Sequence, residues 1–334
     1  MAPAGLNDKQ SAWNGRGSRI VTPQQTIRAL AAHVKAAVVP HLGTWRARKV
    51  TGIASSGDAT FDIDDIAEAA VEDYIQANDL NVAYYSEDRG LVHPFPGRTP
   101  EGILIIDPID GTRGAIAGLE SCVVSVAWTA YSAAPTMGDV LYGAITEIKG
   151  DLTLSAVRGQ GVEIVDGSGN LRQPSPLPTI DIDTMACSIE VVGAPMQRIF
   201  TALNDLTSRT TVKGGMFILN SSAFELTRLV TGQMAGIIDV RNRLLRDYPT
   251  LRNEFVTYGG GRLLCLYGYD IAAAGLIAQE AGCVITDAWG RSLDGWNLLD
   301  TTESNFGSLL AASNPTLHAQ LLESVEAGFA AYRV

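Results

Sequence analysis

The chain has 334 residues, 46% of them hydrophobic, which suffices for a large core and exceeds what one core usually sustains, so one compact unit of two subdomains is expected. A formal charge of −11 and a pI near 4.8 argue against a nucleic-acid polymer or an anionic membrane as partner, because phosphate backbones reward clustered Lys and Arg. A small phosphorylated ligand stays compatible, since bound cations can invert the local sign.

Residues 1 to 20 are rich in Gly, Ser, Ala and Asn without apolar period and read as a loose tail. Thr22-Pro23 then caps a helix running toward Val39 and stopped by Pro40. Ile63, Ile66, Ala67, Ala70, Val71, Tyr74 and Ile75 recur at helical spacing, so a second helix begins near Asp62 to Asp65 with Asp64 in its first turn. From Asn81 to about Val165 short apolar runs alternate with Gly, Asp and Pro. Strands are expected over Ser121 to Thr129, Asp139 to Thr146, Leu152 to Val157 and Gly161 to Val165, consecutive enough for an antiparallel sheet. The Pro-rich stretch Gln173 to Pro178 serves as a linker, which divides the chain into an α+β part over 21–177 and an α/β part over 178–334. In the second part, strands near Ala186 to Val191, Ala235 to Asp239 and Cys283 to Thr286 alternate with helices. Those helices are expected near Ala194 to Leu206, Ser222 to Thr231, Tyr269 to Ala281 and Pro315 to Ala331.

Cys122, Cys187, Cys265 and Cys283 are widely spaced without a CxxC and sit in apolar surroundings, the pattern of reduced core residues in a cytoplasm. No signal peptide opens the chain, and its most apolar run is too short and too polar to span a bilayer, so no membrane partner is expected. His33, His41, His93 and His318 fall outside every motif.

The richest segment is Ile105-Ile106-Asp107-Pro108-Ile109-Asp110-Gly111-Thr112, at the end of an apolar strand. Pro108 gives no N–H to a ladder and Gly111 permits unusual φ, so a turn is expected after Ile106 with Asp107 and Asp110 converging on one point. Two close carboxylates repel unless cations neutralise them, and hard oxygen ligands suit Mg²⁺, which takes its remaining ligands from water and phosphate. Amides around Gly111 and Thr112 would complete an anion pocket with Asp110. The alternative is a capped turn with solvated aspartates.

Three further segments stand in a fixed order around this one. Asp58 to Asp64 reads Asp-Ala-Thr-Phe-Asp-Ile-Asp, Tyr84 to Asp88 reads Tyr-Tyr-Ser-Glu-Asp, and Tyr269-Asp270 opens an Ala- and Gly-rich run. Together they resemble the inositol-monophosphatase-like superfamily of Mg²⁺-dependent, lithium-sensitive phosphatases, over roughly residues 25 to 325. Departures are Ser86 for Gly and Asp88 for Glu, Phe61 for Thr, and Tyr269 for Trp. The resemblance implies an α/β fold, a layered α-β-α-β-α sandwich of the sugar-phosphatase type, and hydrolysis of a small-molecule phosphomonoester by a homodimeric enzyme. It implies two or more Mg²⁺ ions with Mn²⁺ as a substitute and with Li⁺ and Ca²⁺ inhibitory. The ligands it implies are Glu87, Asp107, the Ile109 carbonyl, Asp110 and Asp270, with Asp64, Glu87 and Thr112 orienting and deprotonating the attacking water. Read without the resemblance, Asp270 and Asp64 are helix caps.

For the substrate, Arg113 after the motif departs from the inositol-type continuation and looks more like the bisphosphate-nucleotide branch. The acid that inositol enzymes place ahead of the aromatic-Asp pair is missing from Leu263 to Gly268, and a Lys often found ahead of the first segment is missing from Ala54 to Gly57. Ser221 and Ser222 resemble serines that face the substrate, and Arg241, Arg243, Arg246, Arg252 and Arg262 suggest a substrate lid, an oligomer contact or a solvated excursion. A nucleotide-, sugar- or amino-alcohol phosphate is preferred over inositol phosphate. A phosphometabolite-binding regulatory or scaffold protein is the alternative.

Overall fold

The computed structural model describes residues 22–54 and 59–333; the expected tail and Asp58 lie outside them. Helix α1 (Pro23–Val38) opens on a reciprocal cap, with the Gln25 N–H donating to Thr22 Oγ1 at 3.3 Å and the Thr22 N–H to Gln25 Oε1 at 3.1 Å. Pro40 does not stop the chain abruptly; a single 3₁₀ turn (Val39–His41) carries it on, since Pro is tolerated in a first turn. An unforeseen hairpin follows, β1 (Val50–Ile53) against β2 (Ala59–Phe61), leading directly into α2 (Asp62–Ala77).

Next come β3 (Ala83–Ser86), β4 (Gly90–Val92), β5 (Gly102–Asp110), the short α3 (Thr112–Ala117), β6 (Val123–Ala130), β7 (Val140–Glu147), β8 (Thr153–Val157), β9 (Gly161–Val165) and β10 (Leu171–Arg172). They form an eight-stranded sheet in the order β10-β9-β8-β7-β6-β5-β3-β4, antiparallel except where β3 runs parallel to β5. On β5, Leu104 and Ile106 enter one core cluster while Ile103 and Ile105 enter another. Both faces of the strand are therefore covered, which is why it reads as an unbroken apolar run.

The second half contains β11 (Ala186–Ile189), α4 (Met196–Ala202), α5 (Asn204–Lys213), β12 (Gly215–Phe217), α6 (Ser222–Val230), β13 (Gly236–Asp239), α7 (Arg241–Asp247), α8 (Arg252–Tyr258), α9 (Gly268–Glu280), β14 (Val284–Thr286), β15 (Leu309–Ala312) and α10 (Pro315–Ala331). Its five-stranded sheet has the order β12-β11-β13-β15-β14. The single helix expected over 194–206 is two, divided at Leu203, and β12 and β15 were not foreseen. Helices α1 and α2 cover one face of the large sheet, α6 and α9 fill the space between the sheets, and α5 and α10 cover the outer face of the small one. The result is the α-β-α-β-α layering. Among the described residues no helix is long and apolar enough to cross a membrane.

Candidate active site

The acidic segment is not a turn after Ile106. Strand β5 continues to Asp110 through a bulge: Asp107 pairs with Ser125 and Asp110 with Val123, three steps on β5 against two on β6. Residues three apart on a regular strand face opposite sides, and the one extra residue cancels that offset. Asp107 and Asp110 consequently border the same cleft. Pro108 can occupy the bulge because no ladder N–H is required there.

Glu87 follows β3, whose Ser86 pairs with Ile106, and this register sets Glu87 beside Asp107 on the cleft. Its neighbour Asp88 accepts from Thr60 Oγ1 of the unforeseen hairpin. Asp64 and Asp270 both occupy the third position of a helix. Asp64 Oδ2 accepts the Phe61 N–H at 2.8 Å, and Asp270 Oδ2 accepts the Tyr267 N–H at 2.8 Å. Each is thus a cap with its other oxygen left for further use. Asp64 spends that oxygen on Thr112, whose Oγ1 lies 3.0 Å from Asp64 Oδ1 and 3.1 Å from the Ile109 carbonyl. One hydroxyl proton serves one acceptor at a time, and an ionised carboxylate is the stronger.

Gly111 links strand to helix at φ +87°, and a Cβ there would meet the Ser121 carbonyl at 2.3 Å and Ser221 Oγ at 2.8 Å. Only glycine fits between β5 and the first-turn N–H groups of α3. Asp110 Oδ2 is held from the opposite half of the chain by Ser221 Oγ (2.7 Å) and the N–H groups of Ala223 (2.8 Å) and Phe224 (3.1 Å) at the start of α6.

Of the two serines expected to face the substrate, only one borders the cleft. Ser221 is buried behind Asp110 and does not border the cleft; Ser222 borders it but donates to Glu190 Oε1 at 3.1 Å. Arg113 borders the cleft from α3 with an exposed side chain. Two bordering groups carried no signal toward the cleft, Glu190 at the end of β11 and Cys265, and Arg241 after β13 joins them from the arginine-rich segment. Glu68, one turn beyond Asp64 on α2, borders an adjoining cavity with Asp64, Glu87 and Asp107. All four cysteines are free and buried.

Burial dominates the electrostatics. It pushes Asp64 up to about 7, and the facing charges of Asp88 and Glu87 add to the shift. Asp107 is held well above the usual carboxylate range by burial and by Asp110, Glu87, Asp270 and Asp64, while Asp270 is raised by burial and Glu87. Asp110 rises only to about 6, because Ser221, Phe224 and Ala223 donate to it. Among the described residues no three His, Cys, Asp or Glu side chains stand as a closed ligand set around one point. The donor chemistry nevertheless fits a hard divalent cation, since all the mutually repelling groups are carboxylates and a cation between them removes the repulsion.

Comparison with known proteins shows the family. The sequence model of the inositol monophosphatase family matches residues 24–328. The chain belongs to the inositol monophosphatase family. A fructose-1,6-bisphosphatase/inositol-1-monophosphatase of Methanothermobacter thermautotrophicus is 30% identical over 302 residues, covering 89% of this chain and 94% of the relative. The Nus factor SuhB of Pasteurella multocida is 24% identical, covering 71% and 74%. Among solved structures, the extragenic suppressor protein SuhB of Bartonella henselae shares the fold with a TM-score of 0.66 at 17% identity, covering 90% and 97%. The Thermotoga maritima IMPase gives 0.63 at 19%, covering 90% and 96%. This member of the family is an enzyme, a phosphoric monoester hydrolase.

In this inositol monophosphatase family member the arginine-rich segment is mostly not at the cleft. Arg243 pairs with Glu326 on α10 at 2.6 Å and lies over the Phe329 ring at 4.2 Å. Arg252 pairs with Glu303, and Arg246 donates to the Glu303 and Ser304 carbonyls. These side chains tie α7 and α8 to neighbouring elements of their own half, and Arg241 alone of the group borders the cleft.

Proposed function

We propose that the enzyme is a Mg²⁺-dependent phosphomonoesterase acting on a small phosphorylated metabolite, of the nucleotide-, sugar- or amino-alcohol-phosphate class. The observation that carries this reading is the hydrogen bond between Thr112 and Asp64, 48 residues apart, made beside the carboxylates that surround the bulge of β5. A cap role for both residues accounts for neither that pairing nor its place in the cleft.

Glu87, Asp107, the Ile109 carbonyl, Asp110 and Asp270 would hold Mg²⁺, which when bound polarises phosphoryl oxygens and makes water acidic enough to attack at neutral pH. The chain's own contribution is orientation. Thr112, fixed by Asp64, points its hydroxyl oxygen at a water beside Glu87, and the two carboxylates take up the proton that the water loses. The N–H groups at Gly111 and Thr112 receive the phosphate oxygens, with Asp110 setting their position.

The relatives' names support a sugar or polyol phosphate as the substrate class, among them fructose-1,6-bisphosphatase. The relative named Nus factor SuhB favours a second reading as a regulatory binding protein. Phosphate release across nucleotide, sugar, inositol and histidinol monophosphates, with and without Mg²⁺, separates the two. Thr112→Ala is expected to lower the single-turnover rate about a hundredfold while leaving Mg²⁺ affinity in place. Metal-independent release, or a variant that loses Mg²⁺ affinity with its chemistry intact, refutes the assignment.

A further inference from the structure

Resting on the phosphatase reading, we propose that Arg241 binds a second anionic group of the substrate at the C-terminal wall of the cleft. Arg241 is 5% exposed and borders the cleft together with Glu190, Val192 and Cys265. Its guanidinium is fixed from behind: Nε and Nη2 donate to the two oxygens of Asp239 at 3.0 and 2.7 Å, and Nη1 donates to the Val192 carbonyl at 2.9 Å. Asp239, fully buried at the end of β13, balances the charge and holds the plane rigid.

A guanidinium has five N–H bonds, and three are committed here. One N–H remains on each terminal nitrogen, and a buried donor without an acceptor is costly. Donors fixed on one rigid plane match the oxygens of a phosphate or carboxylate, which a mobile lysine or a lone hydroxyl does not reproduce. The other cation bordering the cleft, Arg113, stands on α3 with an exposed side chain. Glu190 on the same wall opposes an anion and would favour a hydroxyl, which makes it the discriminating neighbour.

The test uses hydrolysis of p-nitrophenyl phosphate by the full chain, with fructose 1,6-bisphosphate and fructose 1-phosphate as competing ligands that differ by one phosphate. The bisphosphate should have an inhibition constant at least tenfold below that of the monophosphate. Arg241→Lys should shrink that ratio tenfold or more, and Glu190→Gln should widen it. Equal inhibition constants in the wild type, or an unchanged ratio in folded Arg241→Lys, overturns the proposal. Loss of both ligands' binding in Glu190→Gln also overturns it and assigns the wall to hydroxyl groups. If Arg241→Lys does not fold, the wild-type ratio and Glu190→Gln decide. Absence of p-nitrophenyl phosphate hydrolysis by the wild type defeats the phosphatase reading instead.

Discussion

Removing the Ser221 hydroxyl should weaken metal binding rather than substrate binding. Ser221 Oγ donates to Asp110 Oδ2 at 2.7 Å in a buried setting, and the same oxygen also receives the Ala223 and Phe224 N–H groups. A hydrogen bond to a charged group contributes about 1.5–3 kcal/mol, and the two remaining donors put Ser221→Ala at the lower end, about 1.5 kcal/mol. That corresponds to about one pKa unit. Asp110 already stands at about 6, and Ser221 is the strongest of the groups that lower it, so the variant carboxyl titrates near neutrality. Protons then compete with the cation. The Mg²⁺ concentration for half-maximal phosphate release should rise about twofold at pH 7 and about tenfold at pH 5, and the acid limb of the pH–rate profile should move up by about one unit, with KM at saturating Mg²⁺ little changed. A raised KM with an unaltered Mg²⁺ requirement and acid limb would show that Ser221 meets the substrate, and the reasoning would fail.

Arg243→Ala removes a side chain that grips Glu326 with two nitrogens, at 2.6 and 2.9 Å, and stacks on Phe329. Because Glu326 is half exposed, the expected loss is about 2 kcal/mol in urea unfolding rather than the larger cost of breaking a fully buried pair, with KM unchanged; an altered KM at full stability would put the segment in contact with substrate. The metal-free protein should also lose stability as pH rises. Asp64 and Glu190 at about 7, with Asp107, Asp270 and Glu225 well above their usual range, keep protons in the folded state that the unfolded chain releases near pH 4. Their contribution is present below the unfolded pKa and is lost as pH climbs through the folded values. In chelator, the melting temperature should be lower at pH 8 than at pH 5, and added Mg²⁺ should raise it more at pH 8; the opposite order in chelator contradicts the burial-driven shifts.

The legible parts of the fold were those in which one periodicity dominated. Helix α10 and strand β9 agree with expectation at both ends, and the Thr22 cap announces α1. Strand β15 was missed because Leu309 to Ala312 is a four-residue apolar run without flanking alternation, and its place is decided by β13 and β14 on either side. Such pairing is a long-range property that no local pattern carries. The bulge in β5 was hidden for a related reason: Pro108 and Gly111 signal an interruption, but whether the chain turns away or stays paired depends on β6 accepting Asp110 opposite Val123.

The site was legible where chemistry and local structure require the same residue, and hidden where only tertiary packing gives a residue its meaning. Asp64 and Asp270 stand three residues after extended segments, so a cap reading finds both, and the structure shows the caps together with the second oxygen of Asp64 on Thr112. Capping fixes one carboxylate oxygen against its own helix and thereby aims the other, which places each acid to within a hydrogen bond's tolerance without a dedicated partner. Asp110 lacks a helix of its own and obtains the same restraint from the start of α6, 111 residues away. The resemblance around Ser221 points to the substrate, whereas the residue opens a helix whose start holds Asp110. Glu190 and Arg241 lie deeper in the same difficulty. An acid inside the run Cys187-Ser188-Ile189-Glu190-Val191 looks like an ordinary strand end, and Arg241 looks like one more arginine of the 241–262 segment. Only when β11 and β13 lie side by side, with the Val192 carbonyl receiving Arg241, do the two become one wall of the cleft.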